Sequence, residues 1–262
     1  MTVHVVIPAR LDSTRLPRKP LVRICGVPMI VRVARQAAMA DVDDVTVAVD
    51  AIEVQQVVED AGFNAVMTDR DHNSGSDRVH EVSTTLAWAE DDLVVNVQGD
   101  EPLLPPHIID ALVSAMRERP QIELGTVSEP IASMEEFLDP NAVKVVSDAH
   151  QNALYFSRAP IPYPRDQISD VAADADFEAM LSAGLSAAEL RRHVGIYAFR
   201  VRGLRKFVAL ADSRLEQLEK LEQLRWLEAG NALFVLAHDT LIPGGVDTQD
   251  DLRRVEAILN SA

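Results

Sequence analysis

The stretch VVIPARLDSTRLPRKPL, residues 5–21, breaks an apolar run at Pro8 and then sets Arg10, Arg15, Arg18 and Lys19 close together. Crowded cations repel one another unless an anion compensates them. Guanidinium forks and a point-charge ammonium suit a polyphosphate. The loop therefore reads either as a phosphate site or as an ordinary solvated turn. The common phosphate motifs, G-x-x-x-x-G-K-[ST] and G-x-G-x-x-G, are absent. A second stretch, VVNVQGDEP, places Asp100 just past an apolar run and Gly99. Magnesium takes hard oxygen ligands of this kind, while Asp-Glu-Pro is also good turn chemistry. A third, PGGVDTQDDLRRV, pairs Thr248 with Asp251 as a helix capping box. Asp247 then stands just outside the cap, as a second metal carboxylate or as a cap itself.

Weaker candidates lie elsewhere. In DHNSGSDR, Ser74 and Gly75 are small enough for a flat base to approach the backbone. Arg78 falls in the first turn of a helix, where the dipole disfavours a cation, so it reads either as facing an anion or polar ligand or as a solvated Arg at an ordinary helix N-terminus. HVGIYAF alternates, with Val194, Ile196 and Ala198 on one side and His193, Gly195 and Tyr197 on the other. That second face either receives a ligand or is a satisfied surface pair. In SRLEQLEKLEQLRWLEAG, read as one helix from about Ser213 to Ala229, Glu222 and Arg225 share the arc of Leu215, Leu218 and Leu221. They satisfy each other across three residues or face a ligand.

The elements that must hold these groups are legible as periodicities. Up to about residue 120, short β-rich runs alternate with helical patterns, the signature of a doubly wound, mostly parallel, Rossmann-like α/β sheet. Ligands of such sheets lie outside the carboxyl ends of the strands, where the cationic loop and Asp100 fall. Four further strands, IELGTVSEPI, AVKVVSD, ALYFSR and HVGIYAFR, have little helix between them and suggest a smaller antiparallel subdomain. Residues 166–190 are rich in Asp and Glu and carry no Lys or Arg, which reads as a solvated, mobile insert or a lid.

Composition bounds the function. The chain has 262 residues, 47% of them hydrophobic, and a net charge of −16. Nucleic acid and anionic membrane want a basic face, so neither is expected as a partner. A small anion with a locally positive site remains compatible. The lone Cys25, among apolar neighbours, reads as buried filler in a reducing compartment. No apolar run nears the ~20 residues of a membrane span, and no signal-peptide pattern opens the chain. A cytoplasmic location is expected.

PARLDSTRLPRKPL closely resembles the N-terminal signature of the 3-deoxy-manno-octulosonate (Kdo) cytidylyltransferases, and NVQGDEP, GVDT, EKLEQLR and the segment around Ser74 are similar to that family's other motifs. The resemblance implies one α/β nucleotidyltransferase domain over 1–262. Within it, 1–125 would be the nucleotide-binding half, 126–212 an antiparallel sugar-binding and dimer section, and 213–262 the closing helices and strand. It implies that CTP and Kdo give CMP-Kdo and pyrophosphate with Mg2+, for lipopolysaccharide biosynthesis, in a homodimer. Arg10, Arg15 and Lys19 would hold the triphosphate, with Lys19 and Asp100 catalytic. Ser74, Gly75 and Arg78 would contact cytidine, and Asp100 and Asp247 would bind metal. Gln98, Arg158, His193, Tyr197, Glu222 and Gln223 would face the sugar. Departures are Arg18, where many members have glycine, Ser76 in place of the usual threonine, and Arg214 in place of proline. Sialic acid, the 8-amino analogue of Kdo, a metal-dependent glycosyltransferase and a non-catalytic nucleotide sensor are the rivals. Glu101 favours Kdo over the amino analogue, whose enzymes tend to carry glutamine there.

Overall fold

The structure, a computed structural model, describes residues 1–13, 15–72, 74–165 and 190–261. The acidic stretch 166–190 lies, apart from Leu190, outside the described residues. By compactness the chain forms two units, one of 1–120, 196–208 and 242–262, the other of 121–195 and 209–241.

In the first unit, β1 (Val3–Ala9) pairs in parallel with β4 (Asp44–Val49) and with β6 (Leu93–Asn96), and β4 pairs in parallel with β5 (Asn64–Met67). Residues Tyr197–Arg200, the end of β10 (Arg191–Arg200), close this set antiparallel to β6. Val3, Val5, Val6, Ile7, Leu93, Val94 and Val95 are wholly buried, as strands covered on both faces require. Each such side chain contributes about 1.5–3 kcal/mol by leaving water. The helices are α1 (Met29–Ala37), α2 (Ile52–Asp60), α3 (Gly75–Thr85) and α4 (Pro106–Arg117). Their apolar stripes face the sheet: Met29, Ile30, Val33 and Ala37 of α1 are buried, as are Val79 and Val82 of α3. From β1 the chain winds towards β4 and β5, then returns to β6 on the other side of β1. The strand order therefore reverses between β1 and β6, and a crevice opens at their carboxyl ends.

Between β1 and α1 a two-stranded hairpin, β2 (Arg23–Ile24) with β3 (Val27–Pro28), turns through Cys25 (φ 45) and Gly26 (φ 80). Two positive φ values in succession are the mark of a tight hairpin turn. Cys25 is thus exposed at a hairpin tip, not buried among its apolar neighbours. The turn geometry overrides the local hydrophobic context.

In the second unit, β8 (Lys144–Ser147) runs antiparallel to β9 (Ala153–Ser157) and to the start of β10. β7 (Leu124–Pro130) and β11 (Phe234–Ala237) pair in parallel, so this section is mixed and not purely antiparallel. Two helices escape the periodicity reading: α5 (Met134–Leu138), a single capped turn, and α6 (Val201–Ala209), which follows β10 without a break and belongs to the first unit.

The long helix expected over 213–229 is two short ones, α7 (Arg214–Glu219) and α8 (Gln223–Glu228). Lys220 ends α7 in the left-handed region, at φ 54. No glycine or proline marks the stop, so periodicity runs straight through it. The break takes Leu218 off the expected buried arc and leaves it 71% exposed. It also gives Arg225 other partners, Glu216 (Nε to Oε2, 2.7 Å) and Asp212 (3.1 Å), instead of an isolated pair with Glu222. The chain closes with α9 (Gln249–Ser261) in the first unit.

A left-handed conformation costs a non-glycine residue roughly 1–2 kcal/mol, and glycine gives back part of that gain through its freer unfolded chain. Lys220→Gly should therefore stabilise the protein by about 0.5–1 kcal/mol. A urea midpoint that stays put or falls would contradict this.

Candidate active site

A cavity of about 420 Å³ in the first unit opens at the carboxyl ends of β1 and β6. Arg10, Arg15 and Lys19 reach it from the loop after β1. Ser74, Gly75 and Arg78 reach it from the start of α3, Gln98 and Asp100 from the turn after β6, and Asp247 from the turn before α9. These nine residues, singled out from four separate stretches of sequence, line one hollow.

At its centre the Lys19 ammonium bonds Asp100 Oδ2 at 2.5 Å and Asp247 Oδ1 at 2.6 Å, partners 81 and 228 residues away in sequence. Arg15 Nη1 takes the other oxygen of Asp247 at 3.0 Å. Burial alone would push the Lys19 ammonium down, but Asp100 and Asp247 more than offset it and hold it above the ordinary lysine value. A raised lysine contributes stability at neutral pH that is lost only when pH climbs through its folded value.

Two glycines make the convergence possible. A Cβ on Gly99 would lie 2.6 Å from the Pro8 carbonyl oxygen, so only glycine lets the turn after β6 close on the end of β1. A Cβ on Gly245 would lie 2.7 Å from Glu101 Oε1 and 2.8 Å from the Asp100 carbonyl oxygen. There the turn before α9 leans on the Asp100 turn, and Val246 N–H donates to the Asp100 carbonyl at 2.8 Å. Arg254, on α9, donates to the carbonyls of Gly244 and Gly245 at 3.0 and 2.8 Å. Thr248 and Asp251 form the capping box, Thr248 N to Asp251 Oδ2 at 2.9 Å and Asp251 N to Thr248 Oγ1 at 3.2 Å. The Asp247 carboxylate is therefore not the helix cap and points to Lys19 and Arg15 instead.

Ser74 is the N-cap of α3 and completes its own capping box with Asp77. Arg78 is wholly buried. Its Nη1 donates to Thr68 Oγ1, and its Nη2 stands 3.7 Å from Asp50 Oδ2. Burial lowers this guanidinium, Asp50 works against that, and Arg10 across the cavity adds to the lowering. Arg18 turns away and pairs with Glu53 at 2.6 Å, at φ 57. That left-handed backbone is the physical reason a glycine suits this position.

The remaining candidates stand on other elements. Tyr197 is 6% exposed, packed beside Phe199 and registered against Asn96 of β6. At Tyr197 the strand is covered on both faces, while His193 and Gly195 on the same side are half-buried. In the second unit, Arg158 is held by α7: its Nε donates to the Glu219 carbonyl at 2.7 Å and its backbone N–H to Glu219 Oε2 at 2.9 Å. Arg158 Nη1 donates to the Pro140 carbonyl at 2.8 Å. His193 Nε2 lies 2.9 Å from Thr126 Oγ1, its ring edge-on to Phe156, and burial pushes the imidazole down to about 3. Gln223 is buried with its Nε2 unpartnered, and Glu222 is the N-cap of α8.

Among the described residues no group of three or more His, Cys, Asp or Glu is arranged to hold a metal ion. Asp100 and Asp247 supply two hard carboxylates side by side. That donor set fits a cation such as magnesium, which also keeps water and phosphate oxygens as ligands. Asp50 and Thr68 were missed in the sequence. Their signal was only an acid and a hydroxyl at the carboxyl ends of β4 and β5.

A sequence profile of the cytidylyltransferase family matches residues 4–234. A 3-deoxy-manno-octulosonate cytidylyltransferase of Cellvibrio japonicus is 46% identical over 259 residues, 99% of this chain and 98% of its own. Its namesake in Saccharophagus degradans is 46% identical over 266 residues, 100% of both chains. The solved structure of a CMP:2-keto-3-deoxy-manno-octonic acid synthetase complexed with CTP matches with a TM-score of 0.87 at 38% identity, over 100% of this chain and 99% of that one. A cytidylyltransferase structure from Leptospira borgpetersenii, at 14% identity and TM-score 0.62 over 100% of this chain and 88% of that one, shares the fold.

The lowered His193 has a stability signature. Its folded value, about 3, lies below the ordinary 6.5, so the unfolded chain binds the extra proton between these limits. Stability should fall with decreasing pH across that window, by up to about 1.4 kcal/mol per unit from this group. His193→Gln should flatten the acid limb of the urea-midpoint profile. An unchanged slope would show that the imidazole titrates normally.

Proposed function

Because the chain belongs to the cytidylyltransferase family, we propose that it joins CTP to Kdo, giving CMP-Kdo and pyrophosphate for lipopolysaccharide synthesis. The observation that carries this is one cavity lined by all the residues matching the family's nucleotide and metal motifs, with Lys19 shared between Asp100 and Asp247 at its centre. Relatives similar along the whole chain and named for this activity support the choice of sugar.

In this reading the anomeric hydroxyl of Kdo attacks the α-phosphorus of CTP in line. A new C–O–P link forms, the bond from the α-phosphorus to the α,β-bridging oxygen breaks, pyrophosphate leaves with that electron pair, and the hydroxyl proton passes to solvent. Arg10, Arg15 and Lys19 bind the phosphate oxygens, and Lys19 stays on the charge that develops there. Ser74, Gly75 and Arg78 hold the cytidine. Asp100 and Asp247 would hold Mg2+, which when bound neutralises phosphoryl charge and orients the chain of phosphates. The sugar side rests on the family motifs, which assign Gln98, Arg158, His193, Tyr197, Glu222 and Gln223 to Kdo. At neutral pH His193 would take part as a neutral hydrogen-bonding group, since burial keeps its proton off. Most of the rate would come from positioning and charge compensation. A homodimer and a cytoplasmic location complete the reading. No helix among the described residues is long and apolar enough to cross a membrane.

Pyrophosphate release from CTP and Mg2+ should appear with Kdo and be negligible with sialic acid or the 8-amino analogue. Release only with another sugar, or none from CTP, overturns the reading. Asp100→Asn should cut turnover at least ~10³-fold with the far-UV spectrum unchanged, as expected for a group acting on transition-state charge. Full activity would remove Asp100 from the metal site. Gly245→Ala should cost about 10²-fold in kcat, because its methyl would drive the Asp247 turn off the Asp100 turn. Near-normal turnover would mean that the carboxylates need not be held this closely.

A further inference from the structure

Asp50 follows β4 and does not line the cavity, yet it joins pieces of chain that do. Its Oδ1 accepts the backbone N–H of Leu11, in the cationic loop, at 2.9 Å. Its Oδ2 faces Arg78 Nη2 at 3.7 Å, an ion pair without a hydrogen bond. Its carbonyl accepts Arg70 Nε at 2.8 Å. Arg78 is 0% exposed and the Asp50 side chain 12% exposed, so solvent screens this pair weakly. Thr68, the other partner of Arg78, is pinned to the Val49 carbonyl through its N–H at 2.8 Å and its hydroxyl at 2.9 Å, one residue before Asp50. Glu81, a further nearby carboxylate, is taken up by His72 at 2.5 Å and by Asp69 N–H at 2.9 Å. Asp50 is thus the counter-ion at ion-pair distance from a buried guanidinium, and a buried charge left without one is strongly unfavourable.

We propose that Asp50 is a positioning residue of the nucleotide pocket, which fixes Arg78 and the loop bearing Arg10 in the arrangement that receives CTP. This rests on the reading of the cavity as a CTP site. The reasoning is one of charge and geometry together. Arg10 and Arg78 face the same cavity and repel. An anionic ligand between them relieves that repulsion only if both are already in place when it arrives. Preorganised cations bind with less ordering cost than mobile ones. One carboxylate that holds the loop backbone with one oxygen and faces the guanidinium with the other supplies that order from behind the site.

Asp50→Asn keeps an acceptor for Leu11 N–H and removes the charge. Calorimetric titration with CTP should show the dissociation constant raised about tenfold or more. The KM for Kdo should stay within twofold, and kcat at saturating CTP should fall less than threefold. A merely structural role would lower the folded fraction and leave the CTP dissociation constant untouched, which overturns the proposal. Asp50→Glu should recover part of the affinity. If Asp50→Asn does not fold, the Arg78→Met and Arg78→Met/Asp50→Asn pair decides. With the guanidinium gone, the second change should cost less than twofold in CTP affinity, whereas a loss of tenfold there overturns the coupling. Failure of the unaltered protein to bind CTP overturns the site reading itself. Binding by the unaltered protein with an unchanged Asp50→Asn overturns only the role of Asp50.

Discussion

One ammonium group between two carboxylates holds the cavity of the first unit together. Two aspartates side by side repel, and in a partly enclosed cavity the repulsion is poorly screened. Lys19 bonds both, and Arg15 adds a second cation on Asp247. Two positive and two negative groups then balance at this point of the cavity, while Arg10 and Arg78 add further positive charge to its lining. Much of the surrounding architecture serves this contact. The topological reversal beside β1 opens the crevice. Gly99 lets one aspartate turn approach the end of β1, and Gly245 lets the other turn lean on the first.

The same balance says what a polyphosphate must do on arrival. Its charge competes with the carboxylates for Lys19 and Arg15. Once those cations turn to phosphate, two aspartates are left facing a negative ligand. Asp100 and Asp247 would then suit a divalent cation, which would supply the missing positive charge. Nucleotide and metal are therefore expected to help each other bind, and any such coupling is reciprocal. The acidic surface fits this picture. A net charge of −16 repels free nucleotide at long range, so recognition falls to the few cations concentrated at the β1 loop and to whatever screens the rest.

Much of the fold was legible from the residues. Buried strands such as VVIPA and DLVVNV announced a parallel sheet, and the rule that ligands sit beyond strand ends put the chemistry after β1 and β6. That residues from four separate stretches share one cavity was legible too, because their motifs combine unusual charge with small residues and match a family pattern. Two failures share a cause: they depend on backbone conformation that side-chain type does not encode. Lys220 and Cys25 adopt positive φ with no glycine to signal it, so one helix became two and a supposed core cysteine came to the surface. Alternation in HVGIYAF predicted an exposed Tyr197, yet alternation distinguishes two faces and does not say that one of them is open. Arg18 is the reverse case. Its side chain is one of four cations crowded in the sequence, yet the resemblance sets it aside as surface, and it pairs with Glu53 from a backbone at φ 57 that favours a glycine.

Residues that touch a ligand tend to sit in recognisable motifs, whereas those that hold them in place often do not. Asp50 stands in VAVDAIEV, a stretch with no unusual composition, and its importance comes wholly from what lies next to it in space. A buried guanidinium needs a counter-charge more than an exposed one does, because water does little for it. The burial of Arg78 therefore forces a requirement onto another strand end. The requirement can be met by any acid that reaches the same point, so sequence alone does not say which. Following buried charge to its nearest compensating group finds such residues, and it does so without knowing the reaction. In this pocket that route leads from Arg78 to Asp50 and on to Leu11, which returns it to the cationic loop where the chemistry begins.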